Sequence, residues 1–161
     1  MQKKLVLLFD SLRDPRDLAQ MIHLGLAAGI EIELTGSSLP PTHQKVINII
    51  DSWIHNFRDN QELSHVSIHS DFEKRIKALK KQGYGIMGTS SQKGSNLFQA
   101  DLSKGKHVIV FGTETSGLSK EKMDLMDKIL RVPMQNNTKF FTISAIAPVF
   151  AYEALKQKKL V

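Results

Sequence analysis

Short apolar runs of strand length alternate with helical patterns along this chain, and that alternation restricts its possible folds more than any other feature. The runs lie at 5–9, 30–34, 66–68, 84–87, 108–111 and 129–132. Helical stretches fill 14–28, 45–54, 71–82, 120–126 and 144–157. Such an order predicts an α/β domain with a mainly parallel central sheet of five or six strands and helices on both faces. No linker, repeat or one-sign charge block interrupts it, so residues 1–161 read as a single domain.

Local chemistry marks the helix ends. Asp14 is placed to cap a helix with Pro15 at its first position and Asp17 near the positive end of the dipole. Leu18, Met21, Ile22 and Gly25 form one stripe, Arg16, Gln20 and His23 another, and Gly29 closes the helix. Ser119 caps the helix from 120, with Leu118 and Met123 as a hydrophobic staple. Pro148 conflicts with the last helix, because it lacks a backbone donor. The helix either starts late with Ser144 as cap or kinks.

Composition narrows the function classes. The chain has no cysteine, which removes disulfides, thiolate metal sites and cysteine nucleophiles. Its six histidines show no ligand spacing, so no structural metal is expected. The apolar run 5–9 ends at Asp10 and Arg13, short of a secretory core, and the stretch 140–152 is too short to cross a bilayer. A soluble, cytoplasmic protein is the expectation. A net charge of +6, from 22 Lys and Arg against 16 Asp and Glu, leans toward a polyanion or reflects a merely basic surface.

Three segments carry chemical interest. Gly112-Thr-Glu-Thr-Ser-Gly117 follows a strand and precedes a capped helix, where glycines permit positive φ and close backbone approach. It has neither the Walker spacing nor the dinucleotide fingerprint, and Glu114 would repel phosphate. A ligand-binding loop and a plain turn both fit. The others are Arg131-Val-Pro-Met-Gln135 and Phe140-Phe-Thr-Ile-Ser-Ala-Ile-Ala-Pro148, each readable alone as core and loop.

Taken in order, these segments resemble a family. Asp14-Pro15 with its helix to Gly29, then Val108-Ile-Val-Phe-Gly-Thr-Glu-Thr-Ser-Gly-Leu-Ser119, Val132-Pro-Met134 and a final apolar helix resemble the SpoU/TrmH-type SPOUT RNA methyltransferases. The resemblance implies a C-terminal trefoil knot, which general rules of chain topology would have argued against. It further implies an S-adenosylmethionine pocket, a homodimer with sites completed across its interface, and methyl transfer to a ribose 2′-hydroxyl of tRNA or rRNA, tRNA being preferred.

Carried over by position, Gly112, Val132 and Phe141 fall on cofactor contacts, with Gly88, Thr89, Gly117 and Met134 walling the same pocket. Glu114 matches the motif acid, as a group near the reacting atoms or as a hydrogen-bonding loop residue. The first motif departs from the family. Where members carry Asn, a small residue and Arg, this chain has Asp17, Ala19 and His23. The third motif reads Phe140-Phe141-Thr142 in place of Ser-Leu-Asn, with Ser144 kept. His23 could supply a base titrating near neutrality, or be a solvated or dimer-buried histidine. Asp17 would orient the ribose or hold a cation. For RNA, Lys3, Lys4, Arg13 and Arg16 lie near the first strand, and Arg13 and Arg16, which flank the expected site, are preferred over the lysines of 71–82. The alternative function is a non-catalytic knotted dimer that binds RNA or S-adenosylmethionine without methyl transfer.

Overall fold

The computed structural model describes residues 4–60 and 62–161; Lys3 lies outside the described residues. The strands are β1 (Leu5–Asp10), β2 (Glu31–Thr35), β3 (Val66–His69), β4 (Tyr84–Thr89), β5 (Ser95–Asn96), β6 (Lys106–Phe111) and β7 (Lys128–Arg131). The helices are α1 (Pro15–Ala28), α2 (Gln44–Asp51), α3 (Phe57–Asn60), α4 (Phe72–Lys81), α5 (Lys120–Met123) and α6 (Ile143–Gln157). The sheet runs β3-β2-β1-β6-β4-β7-β5 and every pairing is parallel. The expected α/β architecture with helices on both faces is the observed one.

Strand periodicity sorts the side chains into two cores. Leu5, Leu7 and Phe9 face the larger one, with Met21 and Ile22 of α1, Val46 and Ile50 of α2, and Phe150 and Ala154 of α6. Val6 and Leu8 face the smaller one, with Ile76 and Leu79 of α4 and Leu118. Phe9 stacks on Phe111 at 4.9 Å between centroids, and Phe111 meets Phe150 edge-on at 5.6 Å. That contact ties the two central strands to α6 where their carboxyl ends emerge.

Connectivity sends the chain outward from β1 to β2 and β3 on one side, whereas β6, β4, β7 and β5 fill the other. The switch point therefore lies between β1 and β6, where ligand crevices form in open parallel sheets. Buried Asp10, at the end of β1, accepts the Thr35 hydroxyl at 3.0 Å and the Lys122 ammonium. The second contact fixes α5 beside β1.

The caps largely follow the sequence. The Asp14 carboxylate accepts the N–H groups of Arg16 and Asp17, Gly29 is left-handed with φ 65, and Ser119 accepts the N–H of Lys122. Leu118 and Met123 join the smaller core together, as a staple requires. The last helix differs from expectation. It starts at Ile143 with Thr142, not Ser144, at the cap position, and continues through Pro148. The late start is excluded because Ile146 N–H already bonds Thr142 O at 3.0 Å. Helix α5 stops at Met123, short of the expected 126, since Asp127 is drawn to β4. Its N–H donates to Ile86 O at 2.8 Å and its carboxylate accepts Ile86 N–H at 2.7 Å.

The two-residue β5 is the element beyond the expected strands. Ser95 and Asn96 pair with Leu130 and Arg131. The chain reaches that position through Gly94, where a Cβ would lie 2.3 Å from Ile129 O. Among the described residues, no helix is long and apolar enough to cross a membrane, and no group of three or more metal-ligating side chains is present.

Candidate functional site

The carboxyl ends of β6, β4 and β7 open into a cleft of about 620 Å³, within the range of small-ligand sites. Thr89 and Ser90 continue β4 on one wall, the loop from Gly112 to Leu118 forms a second, and Val132 and Met134 form a third. Phe141, Ile146 and Phe150 close the back. Six expected cofactor residues thus converge: Thr89, Gly112, Gly117, Val132, Met134 and Phe141. Gly88 does not reach the cleft. A Cβ there would sit 2.7 Å from both Ile129 Cδ1 and Met126 Cγ, so it packs behind the wall that Thr89 presents.

The two loop glycines serve different physical needs. At Gly112 a Cβ would lie 2.1 Å from the Gly117 carbonyl carbon and 2.3 Å from Leu118 N, so backbone packing alone demands glycine. Gly117 has open space around its Cβ position but φ of +66, a conformation costly to residues with side chains. Between them Thr113 and Gly117 exchange backbone hydrogen bonds at 3.3 and 3.0 Å. The Thr113 and Ser116 hydroxyls lie 2.8 Å apart. The result is a tight, self-bonded loop.

Charge is sparse in the cleft, whose ionisable lining residues are Glu114 and Lys139. Such a lining does not suit a polyphosphate, which needs clustered cations or a helix N-terminus. Apolar side chains beside a glycine loop that admits close backbone approach suit a nucleoside without phosphates. That lining fits S-adenosylmethionine.

A second group of residues sits beside the cleft, at the N-terminus of α1. The Glu114 carboxylate accepts the backbone N–H groups of Arg13 at 3.1 Å and Asp14 at 3.3 Å. Asp17, on the first turn of α1, feels the charges of Asp14 and Glu114. Burial and then the two neighbouring carboxylates push its carboxyl above the usual range, while the Ser144 hydroxyl and Arg16 oppose the shift. Of the four expected catalytic residues, Glu114 thus lies against the start of α1, where Asp17 also sits, and Thr142 in place of Ser144 takes the cap position of α6. Arg13 donates to the Ser37 hydroxyl at 2.6 Å, which holds its guanidinium over the loop after β2. Arg16 is exposed on the first turn of α1.

His23 is not brought to this group. It is exposed six residues beyond Asp17, about 9 Å along the helix axis, and its ring lies 5.6 Å from that of Trp53. Sequence reading missed Ser37, Ser90 and Gln92. Gln92 donates to Lys139 O at 2.6 Å and joins the loop after β4 to the segment before α6. Serine and glutamine in polar loops carry no periodic or motif signal, and the partners are 47 residues apart in the chain.

A family model described as the SpoU rRNA Methylase family matches residues 4–152. The chain belongs to the SpoU family. Among its relatives this SpoU chain is 24% identical, over 155 residues, to a 23S rRNA (guanosine-2′-O-)-methyltransferase of Shewanella oneidensis. The match covers 96% of this chain and 60% of the relative, so the SpoU chain spans less than two thirds of that protein's length. A solved structure concerned with the 2-OH methylation of C/U34 on tRNA superposes with a TM-score of 0.82 at 19% identity, covering 98% of this chain and 97% of the other. The SpoU methyltransferase AviRb from Streptomyces viridochromogenes, in complex with AdoMet, superposes with a TM-score of 0.79 at 19% identity. That match covers 99% of this chain and 60% of the other. Both structures share the fold of the SpoU chain described here.

Proposed function

We propose that this SpoU chain transfers the methyl group of S-adenosylmethionine to a ribose 2′-hydroxyl of RNA, with tRNA preferred over rRNA. The observation that carries the reading is the cleft at the strand ends, walled by the Gly112–Gly117 loop and nearly free of cations. Family membership supports the reaction class. The likeness to a structure concerned with tRNA methylation supports the preference for tRNA.

In this reading Thr89, Gly112, Gly117, Val132, Met134 and Phe141 hold the cofactor, which supplies an activated sulfonium methyl when bound. Gly88 acts behind them by letting β4 pack on Met126 and Ile129. Arg13 and Arg16 meet RNA phosphates. Glu114 is a positioning residue that holds the Arg13–Asp14 backbone against the cofactor loop, and Asp17 with Ser144 orients the ribose. The chain is knotted, as its family resemblance implies, works in the cytoplasm and forms a homodimer. The exposed apolar side chains Trp53, Val149 and Tyr152 on the helical layer support a dimer. His23 belongs to the same layer and accepts the ribose proton in a cleft completed by a second copy.

Calorimetry with S-adenosylhomocysteine, paired with radiolabelled methyl transfer to bulk RNA, tests the proposal. Binding together with label in RNA is the expected result. Tight binding without label would leave the non-catalytic dimer as the function, and no binding would remove the cofactor assignment.

A further inference from the structure

At the mouth of the cleft the chain exposes an aromatic ring that the cofactor reading does not use. Phe140 is 66% exposed, the most exposed of the chain's aromatic residues, yet it belongs to the cleft lining. It lies between Lys139, also in the lining, and Phe141, which is 48% exposed. The Gln92 side-chain bond to Lys139 O fixes the segment to the opposite rim, so the ring is presented from an anchored backbone. Two adjacent exposed rings at the edge of a cleft make a patch of the kind that marks an interaction site.

We infer that Phe140 is a stacking platform for the base of the target nucleotide. The inference rests on the RNA-methyltransferase reading and adds how this chain receives its substrate. An unpaired nucleotide presents a flat π-face and a phosphate, and recognition of single-stranded RNA combines aromatic rings with cations. Lys139, the preceding residue and also in the cleft lining, supplies a cation at the same cleft, and the net charge of +6 favours a polyanionic occupant over an apolar one. The ring is continuous with the cleft, so a base stacked on it places its ribose at the cleft mouth. Stacking tolerates any base, so the platform supplies affinity and position and leaves sequence choice to other contacts.

The competing basic surface does not serve this role. On α4, Arg75 is engaged by Glu33, Lys77 by Glu73 and Lys80 by Asp127, which neutralises most of that helix. No aromatic side chain of α4 is exposed, its one ring, Phe72, being 7% exposed.

The test uses the full chain, unfractionated bacterial tRNA, and a short RNA hairpin with 2-aminopurine in its loop. Phe140→Ala should weaken binding of both RNAs about 5- to 150-fold and remove the quenching of 2-aminopurine seen with the unaltered chain. Phe140→Tyr should restore both, and Phe140→Ala should weaken RNA binding far more than S-adenosylhomocysteine binding, with mass by light scattering unchanged in both variants. Because the residue is at the surface, neither substitution threatens the fold. Unchanged RNA affinity in Phe140→Ala, with the unaltered chain binding normally, overturns the inference alone. A fall from dimer to monomer in Phe140→Ala also overturns it, since the ring then belongs between copies. Failure of the unaltered chain to bind any RNA overturns the inference together with the functional reading beneath it.

Discussion

Glu114 accepts the backbone N–H of Arg13 at 3.1 Å across 101 residues of sequence. The bond joins the loop that walls the cofactor cleft to the segment that presents Arg13 and opens α1. Both backbone bonds fall on Oε1 and hold the carboxylate in place, a positioning task that a glutamine amide oxygen can also perform. Glu114→Gln keeps an acceptor oxygen and should retain most methyl-transfer activity. Glu114→Ala should cost about 1 kcal/mol of stability and raise the RNA concentration needed for half-maximal rate. Denaturant unfolding and steady-state kinetics check both. A loss of 10²- to 10⁴-fold in Glu114→Gln, on the order expected for a general base, would return the residue to a chemical role.

The two loop glycines should fail in different ways. Gly112→Ala forces a Cβ into the 117–118 backbone, so it should destabilise the fold and abolish S-adenosylhomocysteine binding. Gly117→Ala meets no atom and should cost only the left-handed penalty, about 1–2 kcal/mol, with weakened but measurable binding. Thermal unfolding with calorimetry separates the two, and equal behaviour would contradict the geometry.

Lys158 and His107 set an acid limit on stability. The Lys158 ammonium donates to Leu102 O at 2.8 Å, Gly105 O at 2.9 Å and His107 Nδ1 at 2.9 Å. Burial and then the Lys158 charge hold His107 below its ordinary value, with Asp101 opposing. Burial and then Lys4 lower Lys158. A histidine depressed in the folded state contributes stability that is present above about pH 6.5 and lost as pH falls through its lower folded value. Urea unfolding should therefore show declining stability from pH 7 toward pH 5. His107→Asn keeps an acceptor for Lys158 without a titrating ring and should flatten that decline.

For RNA, reversing Arg13 and Arg16 to Glu should lower tRNA affinity and reduce its salt slope by about 0.7–0.9 for each phosphate no longer neutralised. Reversing Lys74 and Lys81 on α4 should change both far less. An unchanged slope in the Arg13 and Arg16 variant would move the RNA to another face.

The parts of this fold legible in the sequence were those with local, repeated signals. The run from Leu5 to Phe9 is apolar on both faces because β1 is buried between two cores. Asp14-Pro15 and Ser119 announce their helices by short-range hydrogen bonding. Ser95 and Asn96 were silent because a two-residue polar strand has no period, and Pro148 left the start of α6 open because only the backbone bond from Ile146 to Thr142 decides it. Within the site, the glycine loop was readable as backbone chemistry. The Glu114–Arg13 and Gln92–Lys139 hydrogen bonds were not, since nothing local in a sequence marks a partner dozens of residues away. The motif position of His23 suggested a base, but helical rise carries it toward Trp53 and away from its own cleft.

The central claim is ribose methylation, and the location of the transferred methyl group tests it most directly. The chain is incubated with S-adenosylmethionine carrying a labelled methyl and with undermodified tRNA, and the RNA is then digested to nucleosides for mass spectrometry. The account predicts label in a 2′-O-methylated nucleoside, with release of one S-adenosylhomocysteine for each methyl transferred. Label on a base, or none in any RNA despite bound cofactor, would contradict it.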